Sequence, residues 1–162
     1  MADALWLPAR NSISGKIFVD TNILIYAHGL DAGTKHDRAS SILAGLWEEQ
    51  TGIISVQVLQ EFYVNVTRKI PHPISPAAAR GIIRNYLAWR VETNDPATIL
   101  LASEIEERNR LSFWNAMIVA SASRAGAEKI LTEDFSHGQV LKGMLIENLS
   151  PNPPLSSSKL NE

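Results

Sequence analysis

The chain has 162 residues, 45% hydrophobic and 20% charged, with a formal net charge of −2: enough for one globular domain with a sizeable core. With no cysteine there is neither a disulfide framework nor a thiolate metal site, and no apolar run is long enough to cross a bilayer. The slightly negative balance attracts no polyanion, so any nucleic-acid binding must use a local basic patch.

The absence of cysteine suits a reducing cytoplasm without demanding it. Residues 1–16 lack the basic region and apolar core of a signal peptide. They show no clear period and are expected to be an extension, with Trp6 anchored on the protein's own surface. The run Lys16–Asp20 is β-branched and aromatic and predicts a buried parallel strand ending at a carboxylate. Thr21–His28 predicts a short helix. In an open α/β sheet, ligands bind beyond the carboxyl ends of the strands, which is where Asp20 falls. The same residue also fits as a cap for the helix that follows.

After a loop over residues 29–34, Ala39, Ile42, Leu43, Leu46 and Trp47 step by three and four from His36, predicting an amphipathic helix. Residues 52–55 predict a short apolar strand. Val56, Leu59, Tyr63, Val66 and Ile70 keep helical spacing, so a helix is expected from a Ser55 cap to Ile70, ended by Pro71 and Pro73. Ser75-Pro76 opens a further helix, and Asp95-Pro96 repeats the signal for a helix through about Arg108. Arg90–Thr93 between them predicts a strand. Ser112 caps a helix over Phe113–Arg124 that is apolar nearly all round and so expected to be buried, with Gly126 as its stop. Lys129–Thr132 predicts a strand, and Leu145–Asn148 a final edge strand. The Pro- and Ser-rich tail, 150–162, is expected to be mobile, leaving one domain over 17–149. Strands alternating with helices imply a mostly parallel sheet covered on both faces.

Three carboxylates stand in apolar surroundings: Asp20 and Asp134 at strand ends and Glu61 within a helix. Burying carboxylates is costly, and clustering them raises their pKa values unless a cation neutralises them. Oxygen-only sites of this kind suit Mg²⁺ or Mn²⁺, which can activate water and stabilise a leaving oxygen in phosphodiester cleavage. A solvated helix position for Glu61 is the competing reading. Arg80 and Arg84 share a helix face and are candidates for RNA phosphates, against the plainer alternative of a solvated face. Trp47, Trp89 and Trp114 fall at apolar positions, so core packing is expected of them rather than base stacking. The four histidines show no metal-ligand spacing.

Phe18-Val19-Asp20-Thr21-Asn22, Gln60-Glu61-Phe62, Leu111-Ser112-Phe113-Trp114-Asn115-Ala116 and Leu131-Thr132-Glu133-Asp134-Phe135 resemble, in order, the motifs of PIN domains. Among those, the chain looks most like the toxin ribonucleases of the VapC type. The resemblance implies a three-layer α/β/α sandwich and Mg²⁺- or Mn²⁺-dependent cleavage of RNA. It also implies a small antitoxin that blocks the site, and a homodimer. Carried over by position, it makes Asp20, Glu61, Asn115 and Asp134 the catalytic and metal-site residues, with Glu133 assisting and Asn22 orienting the first carboxylate. A helix-start hydrogen bond for Asn22 and a solvated position for Glu133 are the alternatives.

One position departs from the pattern. Where the family usually has a third aspartate, this chain has Asn115. An amide still offers an oxygen to a hard cation, but it lacks a charge and cannot take up a proton near neutral pH. Metal affinity and any general-base role should fall. Asn115 is either natural, leaving a weak enzyme or an inactive module that binds RNA or antitoxin, or an Asp→Asn change that silences a toxic nuclease. The intact surrounding motif favours the latter. A phosphoaspartyl receiver or phosphatase fits poorly, because Lys129 precedes its strand instead of following it.

Overall fold

The computed structural model describes residues 15–29 and 32–149. Most of the predicted N-terminal extension, including Trp6, and the predicted tail lie outside the described residues. β1 (Ile17–Val19) leads into α1 (Thr21–His28) and α2 (Thr34–Glu49), then β2 (Gly52–Ser55). α3 (Val56–Val64), a π-helical turn (Asn65–Lys69) and α4 (Pro76–Tyr86) lead to β3 (Arg90–Glu92). α5 (Pro96–Asn109) and α6 (Phe113–Arg124) precede β4 (Lys129–Leu131), β5 (Val140–Leu141) and β6 (Met144–Glu147).

The six strands form one sheet in the order β3-β2-β1-β4-β6-β5, parallel except for β5. The chain runs outward from β1 to β3 and then returns to place β4 on the other side of β1. Right-handed crossovers in opposite directions put their helices on opposite faces, which produces the three layers. α1 packs on α2 and α3, and α3 on α4, while α5 packs on α6. The direction of strand order reverses between β1 and β4. A crevice opens beyond their carboxyl ends at such a point, and Asp20 and Thr132 are the residues that follow those two strands.

The core is the sheet's own side chains with the inner helix faces: Phe18, Val19, Ile53, Ile54, Ile130 and Ile146 are fully buried, as are Phe62, Ile23 and Leu24 from the helices. Strands this short hold because both faces are covered and nearly every residue is apolar. Caps set the helix starts. The Ser55, Ser75 and Ser112 hydroxyls accept from Val58, Ala78 and Asn115 N–H groups. Asp95 and Thr98 form a reciprocal capping box on α5. Arg124 at the end of α6 pairs with Asp95 and holds that carboxyl well below the usual range, stapling α6 to α5.

Three expectations are corrected. The strand over Met144–Glu147 is not at the edge: it pairs with β4 on one side, and β5 covers the other. Leu141 pairs with Met144 across Lys142 and Gly143, both at positive φ, the geometry of a two-residue hairpin; the extra edge strand follows from that turn. The helix from Val56 does not stay regular to Ile70. Asn65 Nδ2 and Thr67 Oγ1 donate to the Glu61 and Tyr63 carbonyls, and the Ile70 N–H reaches back to Asn65 O, which widens the last turn into a π-helix. Finally, α6 is buried from Ala116 to Ala122, but Trp114 in its first turn is 64% exposed and so is not a core residue. Trp89 is buried as expected, its ring lying over Gly52; Trp47 packs against both Trp89 and Tyr86 but, like Trp114, stays exposed and is not a core residue.

Candidate active site

Asp20 follows β1 directly and is only 2% exposed. It caps α1, accepting the Thr21 N–H at 2.7 Å on Oδ1, and takes the Thr132 hydroxyl at 2.7 Å on Oδ2. The competing sequence readings, a helix cap and a buried site carboxylate, therefore describe the same residue at once. Burial is the main force on its carboxyl and raises its pKa. The charges of Asp134 and Glu61 raise it further, and the hydrogen bonds from Thr132 and Thr21 only partly oppose them, so the group is pushed up to about 7.

Glu61 lies in α3 and is half-buried, not a freely solvated helix residue. Its Oε2 accepts the Thr21 hydroxyl at 2.6 Å and its Oε1 accepts Gln57 Nε2 at 2.9 Å. Thr21 thus gives its N–H to Asp20 and its hydroxyl to Glu61, so the first residue of α1 orients two carboxylates. Gln57, one helical turn before Glu61, also donates to the Trp114 carbonyl at 3.3 Å. That bond ties the first turn of α6, where Asn115 sits, to the Glu61 carboxylate. The buried Gln57 Oε1 has no hydrogen-bond partner among the described residues.

Asp134 follows β4 and is exposed, with its N–H donating to Thr132 Oγ1 at 3.0 Å. Thr132 is therefore a hub: fully buried, it donates to Asp20 and accepts from Asp134. Asn115 is half-buried in the first turn of α6, with its N–H on the Ser112 cap. Glu133 points elsewhere, its Oε1 accepting the Leu149 N–H at 3.1 Å. Asn22 turns its amide oxygen to the Glu133 N–H at 3.4 Å, a link from the first turn of α1 to the segment after β4 and not a hydrogen bond to Asp20. Arg80 and Arg84 are both exposed on α4.

Asp134 and Glu61 thus both come within electrostatic reach of Asp20 at the carboxyl end of β1, although the three are far apart in sequence. Their oxygens are the donor type that hard divalent cations take, and the buried Asp20 carboxyl with two like charges beside it favours a positive neighbour. The set is open: among the described residues no three Asp, Glu or His side chains close into a ready metal cage. A separate cleft of about 340 Å³, lined by Lys16, Trp47, Thr51, Trp89 and Arg90, lies at the amino ends of the strands and touches none of the candidate carboxylates.

Thr21, Gln57 and Thr132 were not singled out from the sequence as site residues. Thr21 and Thr132 lie inside the quoted motifs, and Gln57 stands one helical turn before Glu61, so that spacing was the available signal. No helix among the described residues is long and apolar enough to cross a membrane.

A PIN domain family model matches residues 17–140. Among solved structures, VapC20 of Mycobacterium tuberculosis, described as a toxin that cleaves the sarcin–ricin loop, is similar at 26% identity and a TM-score of 0.56, covering 71% of this chain and 87% of that one. A toxin–antitoxin complex from Klebsiella pneumoniae matches at 17% identity and a TM-score of 0.62, over 84% of this chain and 99% of that one. DNA-bound VapBC from Salmonella typhimurium matches at 15% identity and a TM-score of 0.58, over 83% and 98%. No curated protein matches the chain in sequence.

Proposed function

The chain belongs to the PIN domain family, and on that premise we propose that it is a toxin-type endoribonuclease whose site is Asp20, Glu61, Asn115 and Asp134. The observation that carries this reading is the Asp20 carboxyl, buried at the strand-order reversal and pushed up to about 7 by its burial and by the Asp134 and Glu61 charges. Uncompensated, that cluster opposes folding. With a divalent cation it becomes a site for phosphodiester chemistry.

Asp20, Glu61 and Asp134 would hold Mg²⁺ or Mn²⁺ through carboxylate oxygens, with Asn115 offering a neutral carbonyl oxygen. When bound, such an ion supplies Lewis acidity and a more acidic water. The chain's own residues do the rest. Thr132 and Thr21 fix the two Asp20 oxygens, and Thr21 and Gln57 fix those of Glu61. With both carboxylates held by short hydrogen bonds, little reorganisation remains when charge develops nearby. Exposed Asp134 sits on the solvent side, where a substrate phosphate enters. Arg80 and Arg84 are candidate phosphate contacts from α4.

Asn115 impairs this chain in our reading, since it removes one negative charge and a proton acceptor from the position where the family usually has aspartate. A second reading, favoured by that same residue, is an inactive PIN module that retains RNA or antitoxin binding. Structural neighbours that are toxin–antitoxin complexes support an antitoxin partner, and a homodimer is proposed on the family resemblance. The deciding experiment compares the chain with Asn115→Asp on total RNA in Mg²⁺ or Mn²⁺, with EDTA as control. We expect metal-dependent cleavage to rise by at least tenfold in Asn115→Asp and to vanish in Asn115→Asp/Asp20→Asn. Equal absence of cleavage in both, with RNA still bound, would favour the inactive module.

A further inference from the structure

Trp114 is the large apolar side chain that the fold leaves exposed next to the candidate site. It is 64% exposed, while α6 is buried from Ala116 onward. A single exposed apolar side chain is ordinary on a protein surface; what distinguishes this one is its place beside the candidate site, to which its backbone is bonded through Gln57.

One contact restrains this ring, and one bond fixes the backbone that carries it. Phe113 packs edge-on against it, with centroids 5.3 Å apart and planes at 71°. Its backbone carbonyl accepts Gln57 Nε2, whose other bond goes to Glu61. The backbone of Trp114 therefore lies two hydrogen bonds from a carboxylate of the candidate site, and the Phe113 contact limits how the indole can turn. A swinging surface tryptophan would adapt to a protein partner. A ring packed on Phe113 and carried on backbone bonded to the candidate site suits a ligand that presents a neighbouring group there. An RNA base is such a ligand: it has a flat face to stack, and its own phosphate lies a fixed distance along the backbone.

We propose that Trp114 is a stacking platform for an unpaired base of the RNA substrate, and that Gln57 is the positioning residue that sets its register against Glu61. This rests on the ribonuclease reading above and adds the contact that selects single-stranded over paired RNA.

The test uses the full chain, whose Asn115 suits it to binding measurements, and a fluorescein-labelled single-stranded RNA 12-mer of random sequence, read by anisotropy in Mg²⁺. Trp114→Ala should weaken binding by about tenfold and Trp114→Phe by no more than about threefold. The same 12-mer with abasic sugars should bind the chain and Trp114→Ala alike. In the Asn115→Asp background, Trp114→Ala should raise KM and leave kcat within about twofold, whereas Gln57→Ala should lower kcat as well. Thermal melts of every variant report folding, and exposed Trp114 should be replaceable without a shift.

Unchanged RNA affinity and unchanged KM in Trp114→Ala would overturn the proposal while leaving ribonuclease activity of Asn115→Asp intact. That result is also expected if a protein partner, and not RNA, covers the ring. Failure of the chain to bind RNA together with failure of Asn115→Asp to cleave it would remove the ribonuclease reading and this proposal with it.

Discussion

Thr132 Oγ1 donates to Asp20 Oδ2 at 2.7 Å, across 112 residues of sequence, while the same oxygen accepts the Asp134 N–H at 3.0 Å. A single buried hydroxyl thus couples the ends of β1 and β4, the two strands between which the order reverses.

Replacing it tests that coupling. Thr132→Val keeps the shape but leaves Asp20 Oδ2 and the Asp134 N–H without their partner. The cost expected for buried groups left unsatisfied is about 1–3 kcal/mol. Urea unfolding of the metal-free chain measures it, and Thr132→Ser, which restores the hydroxyl, should recover most of the loss.

Asp20 makes the metal-free protein pH-dependent. In the fold, burial and then the Asp134 and Glu61 charges hold it protonated up to about 7, whereas an unfolded carboxyl ionises near 3.8. Between those values the folded state binds more protons than the unfolded one, so this group's contribution to stability falls as pH rises from about 4 to 7. Melts in EDTA should show the chain losing stability relative to Asp20→Asn over that window and running parallel to it above. A flat difference would mean that Asp20 ionises normally.

Asn115→Asp should behave oppositely with and without metal if that residue belongs to the carboxylate cluster. The added charge should lower the melting temperature in EDTA. It should also enlarge the rise produced by millimolar Mn²⁺, since a ligand that binds only the folded state stabilises it according to its affinity. Equal Mn²⁺ shifts in the two chains would count against Asn115 as part of the cation site.

Gly52 has a packing role independent of the site. A Cβ there would sit 2.5 Å from Trp89 Cζ3. Trp89 cannot yield easily, because Tyr86 meets it edge-on at 5.1 Å and Trp47 lies 5.3 Å away. Gly52→Ala should therefore cost about 1–3 kcal/mol of overpacking, read by denaturant unfolding. A Trp89→Leu change in the same chain should relieve part of it.

Much of the fold was legible in the linear order. Ser55, Ser75, Asp95 and Ser112 announce their helices because a capping side chain acts on backbone two or three residues away. The strand runs at Ile17–Val19, Gly52–Ser55 and Lys129–Leu131 announce themselves because strands buried on both faces must be almost wholly apolar. Asp20, Glu61 and Asp134 were picked out for a related reason: a carboxylate in apolar sequence is an expense that implies compensation.

What the sequence alone determined, then, were elements, caps and candidate acids, since each depends on neighbours within a turn or two of chain. Only the tertiary structure decided which hydroxyls hold those acids, that β5 shields β6, and that Trp114 faces solvent while the rest of its helix is buried. Those outcomes turn on contacts across many tens of residues, such as Thr21 with Glu61 and Thr132 with Asp20. No periodicity encodes them, because they exist only once the sheet order brings the strand ends together.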